Sequence, residues 1–273
     1  MKSEKKANPP QSVKATEEDF FVEERRQLIV ECLNVDLRTT VTQLSKKFSV
    51  SPATIRSDLR ELESLGLLKR THGGAVSNIK TNYELNSYQK EVKHVEEKKK
   101  IAQAAAKYIH ENDTVALDTG TTAFELAKLL VSFKNLTVVT NDLQIASFLE
   151  CHSSTNIIFV GGWVRRNFHC TTGQIAVDTI SGLNVDKSFI AANGFDLRKG
   201  LSTPNPETAY FKKKLIEIAS QVIVIADSSK CNKVSFVKFA DISDIDIIVT
   251  DNKMPNDVVK ALEKENINVD IVK

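Results

Sequence analysis

The chain has 273 residues, of which 41% are hydrophobic and 26% are charged, a composition typical of a globular protein with room for two domains. No apolar run approaches the roughly 18–20 residues that a transmembrane helix needs, so we expect no membrane partner. The four cysteines have no CxxC or CxxH spacing, which argues against a structural zinc site or a disulfide framework.

The N-terminal residues 1–22 are polar, include Pro9-Pro10 and lack the apolar core of a secretory signal, so we predict a disordered tail there. The net charge of +2 is unevenly distributed. Residues 25–80 hold ten Lys or Arg against five Asp or Glu, a net charge of +5, whereas residues 81–273 carry −1. This asymmetry indicates that only the N-terminal module meets a polyanion.

Residues 23–78 contain three short helical patterns followed by a hairpin pattern. The third helix begins at Ser51-Pro52, because Ser caps free backbone N–H groups and Pro fits the first helical position. A tight FSVS connection before it predicts a helix-turn-helix, whose second helix lies in the DNA major groove. The apolar positions expected to pack inward are Leu28, Ile29, Leu33, Val41, Leu44, Phe48, Ile55, Leu59 and Leu62.

After Gly66, the run LLKRTHGGAV predicts two short strands with Gly73-Gly74 at or near their turn, which would form a wing. Outward-facing residues of the third helix and basic residues of the wing are the expected contacts to double-stranded operator DNA. They are Ser51, Ala53, Thr54, Arg56, Ser57, Arg60, Lys69, Arg70, His72 and Gly73. The alternative is a three-helix protein-interaction module with solvated arginines, which the capped helix and the basic wing disfavour.

The run from RRQLIVECL to RTHGGAV closely resembles the DNA-binding domain of the DeoR family of repressors. That family has a Ser-x-x-Thr-Ile-Arg-Arg-Asp-Leu recognition helix and an Arg-x-His-Gly-Gly-Ala wing. Ser57 stands where the family usually has a second Arg, so one charged contact to DNA is missing. The matching positions are Ser51, Thr54, Ile55, Arg56, Asp58, Leu59, Arg70, His72, Gly73, Gly74 and Ala75.

Residues 79–95 are polar and weakly periodic, which predicts a linker, and a charged helix is expected to begin near Glu96. Beyond it, apolar strands alternate with helices, which predicts a mostly parallel α/β domain over residues 96–273 with helices on both faces of the sheet. The predicted strands are 114–118, 136–141, 156–162, 188–193, 222–227 and 245–251. The predicted helices are 122–132, 143–150, 173–182, 205–220 and 256–265.

Polar residues follow these strands, at the edge where ligands bind in such sheets. The turn Asp118-Thr119-Gly120-Thr121-Thr122 opens a helix, where backbone N–H groups and hydroxyls suit a phosphate. An ordinary turn capped by Thr122 is the alternative. Arg165 or Arg166 can neutralise a phosphate, although a surface role is the commoner one for a single Arg. Further polar strand ends are Thr140-Asn141-Asp142, Gly161-Gly162, Asn193-Gly194 and Asp227-Ser228-Ser229-Lys230.

Residues 80–250 resemble the DeoR-family sensor domain, whose fold is related to that of ribose-5-phosphate isomerase. The matching pieces are DTGTT, VTND, VGGWVR, Gly173, ANGFD…KGLST, Glu207 and IADSSK. The resemblance implies a phosphorylated sugar effector, with its phosphate on residues 119–122. Together, the candidate effector-binding residues are Asp118, Thr119, Gly120, Thr121, Thr122, Asn141, Asp142, Gly161, Gly162, Arg165, Gly173, Asn193, Gly194, Glu207 and Lys230.

An isomerase of this fold would need a carboxylate base, and this chain lacks one where such enzymes carry theirs. Asp196 and Glu207 remain candidates, but each is more simply a capping or hydrogen-bonding residue. We therefore expect a transcription repressor of carbohydrate utilisation with no catalytic residue, metal or cofactor. A DNA-binding protein without a ligand is disfavoured by the polar strand ends. A homo-oligomer, dimer or tetramer, is expected on repeated half-sites, in the cytoplasm and associated with the nucleoid.

Overall fold

The computed structural model describes residues 17–36, 38–77 and 84–273. The chain divides into two compact units, Met1–Lys80 and Thr81–Lys273. Among the described residues, none of the helices combines the length and the apolar character that crossing a bilayer requires.

The first helix starts earlier than predicted. Helix α1 spans Glu17–Asp36, so residues 17–22 belong to it and not to a disordered tail. The run from 17 to 24 contains neither proline nor glycine, so nothing in its sequence stops the helix from extending back. Residues 1–16, including Pro9-Pro10, lie outside the described residues.

The rest of the N-terminal unit is a winged helix-turn-helix. Its further elements are β1 (Arg38–Thr40), α2 (Val41–Phe48), α3 (Pro52–Ser64), β2 (Leu68–Thr71) and β3 (Gly74–Ser77). Thr40 and Gln43 form a capping box at the start of α2, and Ser49 ends that helix in the left-handed conformation. These two local signals set the short turn that separates α2 from α3.

The wing contains one strand that the sequence did not predict. Within residues 38–77, β1 pairs with β3 and β3 with β2, giving a three-stranded antiparallel sheet in the order β1-β3-β2. A Cβ atom on Gly74 would lie 2.0 Å from the Thr39 carbonyl oxygen, so this close pairing admits only glycine. The turn at His72 and Gly73 agrees with the predicted hairpin.

The core of this unit uses the predicted apolar positions with one exception. Ile29, Leu33, Leu44, Ile55 and Leu59 are almost fully buried and pack together. Leu28 is 40% exposed, because the buried face of α1 is centred on its neighbour Ile29 and on Leu33 one turn later.

The C-terminal unit alternates strands and helices as predicted. Its helices are α4 (Ser87–Glu91), α5 (Val95–Ala106), α6 (Thr121–Leu129), α7 (Leu143–His152), α8 (Gln174–Ser181), α9 (Pro206–Glu217) and α10 (Asn256–Lys264). Its strands are β4 (Thr114–Leu117), β5 (Thr137–Thr140), β6 (Asn156–Phe159), β7 (Trp163–Arg165), β8 (Cys170–Thr172), β9 (Val185–Ile190), β10 (Gly194–Asp196), β11 (Gly200–Thr203), β12 (Ala219–Ile225), β13 (Val237–Ala240), β14 (Ile247–Asp251) and β15 (Asn268–Val272).

Within residues 84–273, seven strands form one sheet in the order β15-β14-β12-β9-β4-β5-β6, and every neighbouring pair is parallel. Two apolar clusters hold the buried residues of this unit, and the strands contribute to both. Chain order reverses direction between β4 and β9, because β5 and β6 lie on one side of β4 whereas β12, β14 and β15 lie beyond β9. Such a switch point opens a crevice at the carboxyl ends of the strands, where ligands bind in open α/β sheets.

Two small antiparallel sheets also lie outside the sequence prediction. Strands β7 and β8 form a hairpin, and β10, β11 and β13 form a three-stranded sheet among residues 84–273. Each of these strands has only three or four residues, too few for a hydrophobic period to be recognised in the sequence.

The predicted linker 79–95 is largely part of the C-terminal unit. Residues 84–95 contain α4, which begins at an Asn86 capping box with Gln89, and Glu84 is buried against other parts of this unit. Hydrogen bonds and ion pairs hold this segment in place more than the burial of apolar side chains does. Its sequence therefore shows little hydrophobic periodicity. Residues 78–83 lie outside the described residues.

Candidate DNA-binding face and pocket

Helix α3 presents the predicted contact residues to solvent. The Ser51 hydroxyl accepts a hydrogen bond from the Thr54 backbone N–H at 3.1 Å, which caps the helix start. The four outward-facing residues expected from the helical period are all exposed, whereas Ile55 and Leu59 are buried. Those four are Ala53, Arg56, Ser57 and Arg60. The exposed side of α3 therefore offers two guanidinium groups and two small side chains.

Not all of the positive charge in this unit is available to a polyanion. Asp58 on α3 is 2% exposed and accepts hydrogen bonds from both Arg25 and Arg26 of α1, the shortest at 2.7 Å. These two arginines therefore neutralise a buried carboxylate and join α1 to α3. The net charge of the segment overstates what its surface presents to DNA.

The wing carries the four predicted residues Lys69, Arg70, His72 and Gly73, and all are exposed. The Arg70 guanidinium is already bound, since its Nε lies 2.7 Å from a Glu63 carboxylate oxygen. Glu63 also accepts the Arg70 backbone N–H at 2.8 Å, and these bonds lower the pKa of Glu63. Arg70 thus anchors the wing to the end of α3 through its backbone N–H and its Nε.

The C-terminal unit contains a pocket at the switch point of its sheet. The space inside the pocket that a water-sized molecule can reach is about 80 Å³. Its walls come from the turn after β4, from the loops that follow β9 and β12, from the β7–β8 hairpin, and from the start of the unit up to α5. Of the candidate effector residues, those that line it are Thr119, Gly120, Thr121, Thr122, Arg165, Asn193 and Lys230.

The pocket has a strong excess of positive charge. Six Lys or Arg side chains of the described part of the chain line it, against two carboxylates, Glu84 and Asp227. The cations are Lys90, Lys93, Lys98, Arg165, Lys212 and Lys230. Cations around a partly closed cavity raise the local concentration of anions and bind them more strongly than cations in open water.

Asp118 ends β4 behind the pocket and is fully buried. It accepts hydrogen bonds from the Thr119 and Ala191 backbone N–H groups at 2.8 and 2.9 Å, and from the Lys212 ammonium. Lys212 is 3% exposed and also donates to the Ala191 carbonyl at 2.9 Å. This pair ties α9 to the ends of β4 and β9, and it leaves Lys212 on the pocket wall.

The threonines of the turn at the start of α6, Thr119, Thr121 and Thr122, have different surroundings. The Thr119 hydroxyl donates to Asp142 at 2.7 Å, and the Gly120 N–H lies 3.3 Å from the same carboxylate oxygen. Burial raises the pKa of Asp142, an effect that these hydrogen bonds only partly oppose. Thr121 and Thr122 also line the pocket, at the N-terminal end of α6.

Glu84 reaches into the pocket from the segment before α4. Its side chain is 7% exposed and pairs with Lys90 Nζ at 2.6 Å and with Arg165 Nη1 at 2.8 Å. The Asn193 amide donates to the same carboxylate at 3.1 Å. Burial alone would raise the pKa of Glu84, but the two cations outweigh it and hold that pKa below its usual value. Glu84 is therefore ionised at neutral pH.

Lys98 on α5 is 5% exposed and donates to the Lys90 carbonyl, a neutral acceptor. Burial, reinforced by the nearby Lys230 charge, lowers the pKa of Lys98 to about 8. A pocket-lining amine with this pKa gains charge when an anion binds beside it. Cys170 also lines the pocket, and burial raises the pKa of its thiol to about 11, so it is neutral.

The other candidate effector residues do not line this pocket. Asn141 donates to the Thr171 carbonyl at 2.7 Å, Asp142 caps α7, and Glu207 accepts the Thr172 hydroxyl at 2.9 Å. Gly162 passes so close to the Thr172 carbonyl that a Cβ atom would lie 2.6 Å from its oxygen. These residues hold the loops together. The full set is Asp118, Asn141, Asp142, Gly161, Gly162, Gly173, Gly194 and Glu207.

Several pocket residues were not predicted from the sequence. Most carry ionisable side chains on segments that look solvent-exposed in a sequence, namely the supposed linker and the polar stretches of α5 and α9, whereas Phe168 lies in the β7–β8 hairpin and Thr208 in α9. The list is Glu84, Lys90, Lys93, His94, Lys98, Phe168, Thr208 and Lys212. A Lys within the otherwise apolar rows of α5 or α9 was the signal available for Lys98 and Lys212.

The pocket offers no carboxylate suited to act as a base. Its two lining carboxylates, Glu84 and Asp227, each pair with a lysine. The two candidates from the sequence, Asp196 and Glu207, lie off the pocket wall, where Asp196 accepts two backbone N–H groups of its own turn. Among the described residues, no group of three or more His, Cys, Asp or Glu side chains is placed to hold a metal ion.

Comparison with known proteins identifies both units. A family profile described as a DeoR-like helix-turn-helix domain matches residues 25–81, and one described as a DeoR C-terminal sensor domain matches residues 93–252. An uncharacterised HTH-type transcriptional regulator of Bacillus subtilis, YulB, is 38% identical over 253 residues, covering 93% of this chain and 98% of that protein. A putative aga operon transcriptional repressor of Escherichia coli O157:H7 is 32% identical and covers 91% of this chain and 93% of the relative.

Among solved structures, a D-ribose-5-phosphate isomerase in complex with phospho-erythronic acid aligns with 50% of this chain and 54% of its own. The TM-score is 0.38 at 20% identity, too low to transfer a function. The relatives named above are transcriptional regulators, and this chain is a regulator and not an enzyme. With both of its domains matched, the chain belongs to the DeoR family of transcriptional regulators.

Proposed function

We propose that this regulator represses a carbohydrate-utilisation operon by binding double-stranded operator DNA, and that a phosphorylated sugar in the C-terminal pocket weakens this binding. The single observation that carries the proposal is the ring of six Lys and Arg side chains around a pocket at the switch point of the sheet. The phosphate contacts Thr121, Thr122 and the surrounding cations, and the sugar hydroxyls bond to polar side chains such as Asn193.

A sugar phosphate fits the chemistry of the pocket better than a neutral sugar does. Polar hydroxyls and amides alone would suit a neutral sugar, but the six cations on the pocket wall outnumber the three carboxylates that pair with them, Glu84, Asp118 and Asp227. A phosphate offsets two of these charges and accepts hydrogen bonds from the N-terminal end of α6.

On the DNA side, α3 lies in the major groove with Arg56 and Arg60 directed at bases and phosphates, and the wing contacts the adjacent backbone through Lys69 and His72. Ser57 makes a shorter contact than an arginine would, so the operator preferred by this chain differs from that of relatives with Arg at this position. A homo-oligomer, dimer or tetramer, presents two or more modules to repeated half-sites in the cytoplasm.

Calorimetric titration of the full-length protein tests the sensor half of the proposal. Pentose and hexose phosphates are compared with the same sugars lacking the phosphate. We expect at least one phosphorylated sugar to bind, with its unphosphorylated form binding at least tenfold more weakly. At a ligand concentration 100 times the Kd, the folded state gains about 2.7 kcal/mol, which a thermal melt detects independently.

Two variants locate the binding. Lys230→Gln removes a pocket cation and should weaken sugar-phosphate binding, whereas Lys199→Gln removes an exposed lysine outside the pocket and should not. If no compound on the panel binds, or if the neutral sugars bind as tightly as their phosphates, the sensor assignment is wrong.

A further inference from the structure

The segment 84–91 is attached to the C-terminal unit mainly through polar contacts. Helix α4 has five residues and none of them is buried, with Tyr88 62% exposed. Besides the Glu84 bonds, the Ser87 N–H donates to the Asn167 carbonyl at 3.0 Å, the Lys98 ammonium donates to the Lys90 carbonyl, and the Tyr88 ring meets His169 edge-on at 5.2 Å. A segment held by so few apolar contacts opens at a low free-energy cost.

The Glu84 carboxylate holds this segment against groups that also suit an incoming anion. Its partners Arg165, Lys90 and Asn193 come from three different parts of the fold, the β7–β8 hairpin, α4 and the loop after β9. Arg165 and Asn193 are two of the groups to which the proposed function assigns the sugar phosphate. A carboxylate and a phosphate make the same kind of charge-assisted bonds, and two negative groups beside one cation repel each other, so the two compete for these groups.

We propose that Glu84 is an internal competitor of the effector, and that the anionic group of the effector displaces Glu84 from Arg165 and Asn193 and so loosens the attachment of residues 84–91 to the pocket rim. The inference rests on the proposed function, since it requires the anion to bind in this pocket. Through this displacement, binding of an anion in the pocket changes how firmly the backbone of residues 84–91 is held.

The position of Glu84 in the chain gives this step a consequence. Strand β3 of the wing ends at Ser77, and Glu84 is the seventh residue after it. While Glu84 is paired, the chain leaving the wing is fixed to the C-terminal unit at that residue. Once Glu84 is displaced, the point at which this segment is fixed to the C-terminal unit moves toward α5.

Hydrogen–deuterium exchange on the full-length protein, with inorganic phosphate as the probe, tests this displacement. A ligand that only stabilises its pocket lowers exchange everywhere around it. Displacement of Glu84 instead raises amide exchange in residues 86–92 severalfold while lowering it in residues 119–125. The comparison needs only the unaltered chain, so it does not depend on whether a variant folds.

Substitution of Glu84 provides a second test of the displacement. Glu84→Gln removes the competing charge, so we expect faster exchange in residues 86–92 without phosphate and phosphate binding about tenfold tighter by calorimetry, within the usual range of coupling between two sites. Glu91→Gln makes the same change on an exposed residue of the same helix and should behave like the unaltered chain.

The outcomes separate the two proposals. If phosphate binds but exchange in residues 86–92 stays constant or falls, or if Glu84→Gln binds phosphate no more tightly, Glu84 is not a competitor while the pocket assignment stands. If neither the unaltered chain nor folded Glu84→Gln binds phosphate, the pocket assignment and the displacement both fail.

Discussion

Lys212 and Asp118 form a buried ion pair behind the pocket, with the lysine ammonium hydrogen-bonded to the carboxylate. Side-chain exposure is 3% for Lys212 and 0% for Asp118. Lys212 belongs to α9, and Asp118 directly follows β4. The pair therefore sets the distance between the pocket wall formed by α9 and the threonine turn after β4. A buried pair of this kind is costly to break from one side, since the remaining charge has no partner.

The first prediction concerns the stability of this pair. Asp118→Ala should destabilise the C-terminal unit by about 3–5 kcal/mol, because it leaves the Lys212 ammonium buried and unpaired. The double variant with Lys212→Met should lose less than the sum of the two single losses, by 1 kcal/mol or more. Urea denaturation followed by circular dichroism measures these differences.

Lys238→Ala is the control for that series. Lys238 pairs with Asp241 in an exposed position, with side-chain exposures of 47% and 61%, so its loss should have little effect on stability. A loss for Asp118→Ala as small as that of Lys238→Ala would mean that the buried pair does not hold the pocket wall.

The second prediction concerns pH and Lys98, whose pKa is about 8 because of its burial and its proximity to Lys230. Since an amine loses its positive charge as the pH rises through its pKa, sugar-phosphate affinity should fall from pH 8 to pH 9.5. Titration calorimetry in buffers of different ionisation enthalpy should show proton uptake on binding in this range. Lys98→Gln should flatten the pH profile, whereas Lys100→Gln, exposed on the same helix, should leave it unchanged.

The lowered pKa of Lys98 also makes the free energy of unfolding depend on pH. The folded-state pKa of Lys98 lies below the ordinary 10.5. Between pH 8 and pH 10.5 the unfolded chain therefore binds more protons at this residue than the folded chain does. The contribution of Lys98 to the free energy of unfolding should accordingly rise with pH across that window. A contribution that falls there would show that Lys98 is not buried as an amine of low pKa.

The third prediction separates the two arginines of the DNA-binding face. Arg56→Ala should weaken operator binding by about 1–3 kcal/mol, because Arg56 is exposed on α3 and the proposed function assigns it a contact in the groove. Arg70→Ala should also loosen the wing, since it removes the bond to Glu63 as well as any phosphate contact. Fluorescence anisotropy with a duplex selected by the full-length protein from random DNA measures both losses at one fixed salt concentration.

Arg198→Ala is the control for the arginine series, because Arg198 is exposed in the C-terminal unit and lies off the pocket. It should leave operator affinity unchanged. If Arg56→Ala binds the selected duplex as tightly as Arg198→Ala does, α3 does not lie in the groove as proposed.

The fourth prediction concerns the threonine turn. Replacing Thr121 and Thr122 together by Val removes two hydroxyls at nearly constant shape and should weaken sugar-phosphate binding by about 1–3 kcal/mol. Operator affinity without ligand should be unchanged. Thr179→Val, on an exposed face of α8, serves as the control. Normal sugar-phosphate affinity in the double variant would place the phosphate elsewhere in the pocket.

The fold was largely predictable from the sequence, because its strongest signals are local. The Ser51-Pro52 start of α3, the glycine pair of the wing and the apolar runs of the central strands each specify an element within a few residues. The parallel sheet then follows from the alternation of strands and helices. Short strands such as β1 and β7 were missed, because their pairing depends on partners distant in the chain.

The pocket was only partly predictable, and the reason is physical. Thr121 and Asn193 follow strands, so the topology places them at the sheet edge. Glu84 and Lys90 lie in a polar stretch whose burial depends on ion pairs across the fold, and ion pairs leave no period in a sequence. Asn141 and Asp142 also follow a strand, but their side chains are turned toward neighbouring loops, a distinction that strand position alone does not make.

Operator release is the most direct test of the central claim, that the two units divide the work between DNA and a phosphorylated sugar. Fluorescence anisotropy follows the full-length protein on its selected duplex while a sugar phosphate already shown by calorimetry to bind is added at constant salt. We predict that operator affinity falls at least tenfold at saturation and that the same sugar without its phosphate has no effect at equal concentration. Unchanged operator affinity with the pocket saturated would contradict the account.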